Sequence, residues 1–137
     1  MAGSKMDNGI RLEIPKRTPT ANFWSHKHWS RYRKVRKEWN MLIWVAASQA
    51  KVYGRPSLKK CRLEIERHSP KVMWIKDYDN LVGGCKPVID ALTENGLISD
   101  DSIDVIGIPM ITQHLCGREE ERTVIRLVIG HHQTDQH

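Results

Sequence analysis

Cysteine is scarce in this chain. Cys61, Cys85 and Cys116 are scattered through 137 residues with no C-x-x-C pair. An odd, widely spaced set provides neither a disulfide framework nor a zinc knuckle. The seven histidines do not fill the gap, because His26/His28 and His131/His132 are pairs without Cys or His partners at finger spacing. They read as exposed polar residues in a basic arm and a polar tail. Long hydrophobic runs are missing as well. Nothing approaches the roughly 20 apolar residues of a membrane helix, and Met41 to Ala47 is too short and too deep in the chain for a signal peptide. Secretion and membrane insertion are not expected; a cytoplasmic location is.

Acid is absent from Lys16 to Lys37, where eight Lys/Arg stand: Lys16, Arg17, Lys27, Arg31, Arg33, Lys34, Arg36 and Lys37. Base is almost absent from Asp77 to Asp104, where Lys86 is the one cation among seven carboxylates, Asp77, Asp79, Asp90, Glu94, Asp100, Asp101 and Asp104. The net charge of +6 therefore hides two opposed regions. The basic region, interleaved with Phe23, Trp24, Trp29 and Tyr32, suits a polyanion such as nucleic acid, with rings for sugars or bases. Carboxylates would repel that partner unless they hold a divalent cation, which inverts the local sign. Together the two regions fit a metal-dependent nuclease.

A chain of 137 residues fits one domain, 1–137, with 1–9 and 130–137 as frayed tails. Ile10 to Ile14 alternates and ends at Pro15, which predicts a short strand, followed by a Pro/Asn/Ser-rich loop over Lys16 to Ser30. Tyr32, Val35, Trp39, Leu42/Ile43 and Ala46 recur at helical spacing, predicting a helix from an N-cap at Ser30 to a stop at Gly54 and Pro56. That stripe is core or dimer contact. Strands are expected at Leu58 to His68 and at Val72 to Ile75, the latter running into Asp77. A helix is expected over Lys86 to Glu94, with Pro87 in its first turn and Asn95-Gly96 as its stop. Strands over Ile103 to Ile111 and Arg122 to Ile129 complete a mixed α/β (α+β) domain with a mixed sheet and two main helices.

In Asp77-Tyr78-Asp79-Asn80, alternate residues of an extended segment point the same way, so Asp77 and Asp79 can converge on one ion. Asp100-Asp101 follows the second helix, which would bring it back toward the first pair. Oxygen-only ligands match Mg²⁺ or Mn²⁺. D-x-D alone is weak, since it also occurs in turns and in sugar-nucleotide transferases. An EF-hand loop fails at Leu81 and Val88, its fifth and twelfth positions.

Taken jointly, Asp77-x-Asp79-Asn80-Leu81, Lys86 four residues before Asp90-Ala91-Leu92, then Gly96 and Asp100-Asp101 resembles the signature of RusA-type Holliday-junction resolvases. The match runs from Asp77 to Ser102. The resemblance implies a RusA-like homodimer, encoded in a bacterial cell or by a phage, that binds four-way junctions and cuts them by paired nicks with Mg²⁺, for which Mn²⁺ can substitute, using no organic cofactor. It places metal on Asp77, Asp79 and Asp101, the functional lysine on Lys86 and an assisting acid on Asp100. Asn80 and Asp90 fall on structural positions, Asp90 with the option of a ligand. Phosphate contacts are expected from Lys16, Arg17, Lys27, Arg31, Arg33, Lys34, Arg36, Lys37 and Lys76. The chain departs from the family in Val82-Gly83-Gly84-Cys85, a few residues more than the shortest members have before the lysine. The glycine pair there reads as a turn, a backbone approach to phosphate, or a flexible insertion. Two alternatives stay open: a nuclease for forks or flaps, and a catalytically silent protein that binds branched DNA.

Overall fold

The computed structural model describes residues 9–25 and 29–130. Its sheet has four strands, β1 (Gly9–Ile14), β2 (Arg62–Ser69), β3 (Met110–Leu115) and β4 (Arg122–Val128), in the order β1-β4-β2-β3. The pairs β1/β4 and β4/β2 are antiparallel, whereas β2/β3 is parallel, so the sheet is mixed. Between β1 and β2 lie α1 (Asn22–Ser25) and the long α2 (Trp29–Gln49). Between β2 and β3 come α3 (Tyr78–Gly83), α4 (Lys86–Glu94) and α5 (Ile103–Ile106). A parallel pair needs a long crossover, and that crossover carries every expected metal ligand.

One face of the sheet is covered. Leu12, Ile14, Leu63, Ile65, Ile125 and Leu127 pack against Trp39, Ile43 and Ala47 of α2 and against Val88, Ala91 and Leu92 of α4. The period-two burial of β2 and the three-to-four spacing along α2 put these residues on one core. The stripe on α2 is therefore core. The opposite face is a lattice of charge, with Arg11–Glu13, Arg62–Glu64 and Arg122–Glu13 ion pairs and a close Arg126–Glu66 contact. Among the described residues no helix is long and apolar enough to cross a membrane.

Several expected boundaries move. The arm is not all loop, because α1 interrupts it. Helix α2 starts at Trp29, so Ser30 lies within its first turn; it stops at Gln49, five residues before Gly54. The stop comes from Lys51 in a left-handed conformation (φ 62°) and from Val52 N–H donating to the Ala47 carbonyl at 2.9 Å. Strand β2 starts at Arg62, while Leu58 makes only a bridge to Ile98.

No strand forms at Val72–Ile75. Both neighbours of β2 in the sheet are already β4 and β3, and Lys71–Met73 coils into a 3₁₀ turn after Pro70. The expected strand over Ile103–Ile111 is split, its first half being α5. Gly107 (φ 65°) and Pro109 separate that helix from β3, because a left-handed residue breaks extended backbone. Helix α4 spans Lys86–Glu94 as expected, with Asn95 capping it and Gly96 at φ 74°. Of the expected tails, Gly9 opens β1; residues 1–8 and 131–137, like Lys27, His26 and His28 of the arm, lie outside the described residues.

Candidate active site

Asp77 does not continue a strand; it caps a helix. At φ −93° and ψ 119° its carboxylate Oδ1 accepts from the Asp79 N–H at 2.8 Å and the Asn80 N–H at 3.4 Å. These are donors that a helix start leaves without partners. The extended geometry that would aim Asp77 and Asp79 the same way is thus replaced by an N-cap followed by the first turn of α3, on which Asp79 sits. Both residues are exposed, and Oδ2 of Asp77 is left uncommitted by the cap.

The second acidic pair stands just before α5. Asp101 lines an open cleft of about 280 Å³ together with Tyr78 of α3 and Lys86 and Asp90 of α4, over an apolar floor that includes Val82, Ile89 and Ile106. Asp100 is exposed beside it. Lys86 opens α4 and reaches Asp90 Oδ2 at 3.5 Å, an i,i+4 pair, while its ammonium lies 5.8 Å from the centre of the Tyr32 ring. The Tyr32 hydroxyl donates to the same Asp90 oxygen at 2.5 Å. Burial, reinforced by that hydrogen bond, pushes the Tyr32 phenol well above its ordinary value, so it remains a donor. Asp90 is therefore held from two sides, which makes it a positioning group for Lys86.

The basic arm reaches this end of the molecule through its aromatics. Trp24 and Trp29 pack on Tyr32 at 5.2 and 5.4 Å between ring centres. Helices α2 and α4 run side by side in the same direction, as Tyr32–Asp90, Arg36–Glu94 and Asn40–Glu94 contacts show. Arg36 is therefore ion-paired, and so are Lys16 with Glu38 (3.3 Å) and Arg17 with Glu121 (2.6 Å). Arg31 lies over the Phe23 ring at 5.1 Å. Arg33, Lys34, Lys37 and Lys76 are exposed without an ion-pair partner among the described residues, so they are the cations readiest for phosphate.

The glycine pair is neither a flexible insertion nor a phosphate cradle. Gly84 is buried, and a Cβ there would lie 1.9 Å from the Pro19 carbonyl oxygen; one on Gly83 would lie 2.9 Å from Ala21 Cβ. The pair forms the joint between α3 and α4 on which the arm rests. Asn80 belongs to the same joint: its backbone carbonyl accepts from Ala21 N–H at 3.1 Å and Gly84 N–H at 2.9 Å. Any residue at this position could make these backbone bonds, so they do not depend on the Asn80 side chain.

Two residues that position the site escaped the motif. Gln113 on β3 clamps Ile75, its amide oxygen accepting from the Ile75 N–H at 3.0 Å and its amide nitrogen donating to the Ile75 carbonyl at 2.8 Å. That fixes the backbone two residues before Asp77. Arg67 is 2% exposed, and its guanidinium donates to the Thr18 carbonyl (2.8 Å), Ser69 Oγ (3.0 Å) and the Met73 carbonyl (2.9 Å). Burial, with the nearby Arg17 charge, pushes Arg67 down to about 10, still cationic at neutral pH. The sequence did carry a signal for it, because Arg67 falls on the inward phase of Cys61, Leu63 and Ile65.

Asp77, Asp79 and Asp101 do not close into a three-ligand group. Among the described residues, the His/Cys/Asp/Glu group whose ligand atoms lie within 4.8 Å of one another is Glu66, His68 and His114, on the open face of the sheet. For the aspartates the donor chemistry, exposed carboxylate oxygens and nothing softer, fits a hard cation that keeps several waters, as Mg²⁺ does. Compared with known proteins, the chain matches no protein-family model and no curated relative.

Proposed function

We propose that the protein is a Mg²⁺-dependent endodeoxyribonuclease that recognises branched DNA, with the four-way junction as its substrate and a homodimer as its working form. The observation that carries this reading is the cleft shared by Lys86, Asp90 and Asp101. It adjoins the Asp77–Asp79 turn and lies at the end of the molecule where Trp24, Trp29 and Tyr32 bring the basic arm. Asp77 through Oδ2, Asp79 and Asp101 would hold the metal; bound there, it supplies a water of lowered pKa and neutralises charge on the scissile phosphate.

The chain's own groups do the rest. Lys86, its position set by Asp90 and the Tyr32 hydroxyl, places a positive charge where negative charge develops on the phosphate in the transition state. Tyr32 acts through Asp90 and is a positioning residue. Exposed Arg33, Lys34 and Lys37 on α2 and Lys76 beside Asp77 would take flanking phosphates, with an affinity that falls as salt rises. A two-fold dimer matches a junction that needs two symmetric nicks.

One observation favours a second reading, a junction-binding protein without cleavage: Asp77 spends one oxygen on its cap, and the three aspartates stand apart. A synthetic mobile four-way junction, with linear duplex and flap controls, separates the two when incubated with Mg²⁺ or EDTA. Paired nicks with Mg²⁺ in wild type, absent in Asp79→Asn, are the expected result. Tight binding with no cutting in any divalent metal would leave the binding protein; cutting of the flap alone would move the substrate to other branched DNA.

A further inference from the structure

The open face of the sheet carries a cluster that has no part in the site above. Parallel pairing of β2 with β3 sets His68 directly beside His114 and Glu66 beside Thr112. Residues two apart on a strand share a face, so Glu66, His68 and His114 all point away from the core. The two imidazoles stack at 4.7 Å between ring centres and 17° between planes. Glu66 Oε1 lies 3.0 Å from His68 Nε2, and one ligand atom from each of the three residues falls within 4.8 Å of the others.

We propose that Glu66, His68 and His114 bind a borderline-soft divalent cation of the zinc class, independently of the aspartates. Two imidazoles and one carboxylate select zinc, cobalt or nickel over magnesium. With metal–ligand distances of about 2.0–2.2 Å, ligands around such an ion stand closer than 4.8 Å, and the gap is closed by tilting the exposed His114 ring. The carboxylate is already divided to suit. Arg126 holds Oε2, which leaves Oε1 turned toward the histidines, and an outer partner of this kind is what orients a ligating carboxylate. Thr112 Oγ1, 2.8 Å from His114 Nε2, gives the second imidazole its resting partner. Three protein ligands leave one position open to solvent, and a bound ion would tie edge strand β3 to central β2.

The test uses the full chain without an affinity tag, stripped with EDTA and desalted, then titrated with Co²⁺ by visible absorption and with Zn²⁺ by calorimetry. Wild type should take up one ion with the intense spectrum of four-coordinate Co²⁺. Glu66→Gln and His114→Ala should each weaken that binding by at least about tenfold, with unchanged far-UV circular dichroism. Asp79→Asn should leave it intact, and excess Mg²⁺ should not compete. His114→Gln, closer in size, replaces His114→Ala if the latter loses its fold. No such spectrum in wild type overturns the proposal. So does one undiminished in the His114 variant, since the ion would then sit on other histidines, or one abolished by Asp79→Asn, since it would then sit on the aspartates.

Discussion

The two regions proposed to hold metal are built in opposite ways. The aspartate lip is contiguous in sequence, all within Asp77 to Asp101, yet open in space, its carboxylates exposed and ungathered. The sheet cluster is scattered in sequence, with His114 far along the chain from Glu66 and His68, yet gathered in space by strand pairing. The lip has only oxygen to offer and the cluster mostly nitrogen. A motif can thus name candidate ligands without gathering them, and a register can gather candidates that no motif names.

The sharpest break between the two regions is in catalysis. Asp101→Asn should lower Mg²⁺-dependent junction cleavage by roughly a thousandfold while junction binding in Ca²⁺ or EDTA is kept, as measured by gel cleavage rates and mobility shift. A variant that cuts normally would remove the aspartates from the mechanism. Gln113→Leu acts one step back. By releasing Ile75 from β3 it should cut kcat about ten- to a hundredfold with KM nearly unchanged, because Gln113 holds the backbone leading to Asp77 and stands outside the cleft. An equal rise in KM would show that it contacts DNA instead.

Gly84→Ala probes the joint under the lip. A methyl group 1.9 Å from the Pro19 carbonyl must displace the arm. The expected cost is about 1–3 kcal/mol of unfolding free energy, read from urea denaturation. A neutral result would show that the arm is not seated there.

The smallest effect belongs to the sheet cluster and concerns pH. The Glu66 carboxylate titrates lower in the folded protein than in the unfolded chain: burial opposes this, but hydrogen bonds from Arg126 and His68 and the charges of Arg126 and His114 outweigh it. The unfolded chain therefore binds the proton first as pH falls. Stability from Glu66 is fully present above the ordinary glutamate range and is lost as pH drops through the folded value. Glu66→Gln should accordingly flatten the acid limb of the stability curve below about pH 4.5 and leave the neutral region's slope unchanged. An unchanged acid limb would mean that the Arg126 and His68 contacts do not hold in solution.

Much of the fold was legible because it is local. Helix α4 announces itself by Pro87, an apolar stripe and Asn95-Gly96, all within reach of one another along the chain. The core face of α2 and the alternation of β2 follow from period alone. Where expectation failed, the cause was a distant partner in one segment and a local backbone break in another. Val72–Ile75 has strand-like residues but no free sheet neighbour, and Arg67 and Gln113 hold that segment as a turn and an extended lead. Gly107 and Pro109 divide what periodicity read as one strand.

The sequence by itself determined the chemistry on offer: which residues are acids, which are bases, and that they fall in opposed blocks, because composition and spacing are properties of the chain. Only the tertiary structure decided which of those groups meet. Asp90, the ion-pair partner of Lys86, is met by Tyr32 from another helix, and His68 meets His114 because parallel register sets them side by side. Contact between distant residues is fixed by packing and hydrogen-bond pairing, which no local pattern along the chain encodes.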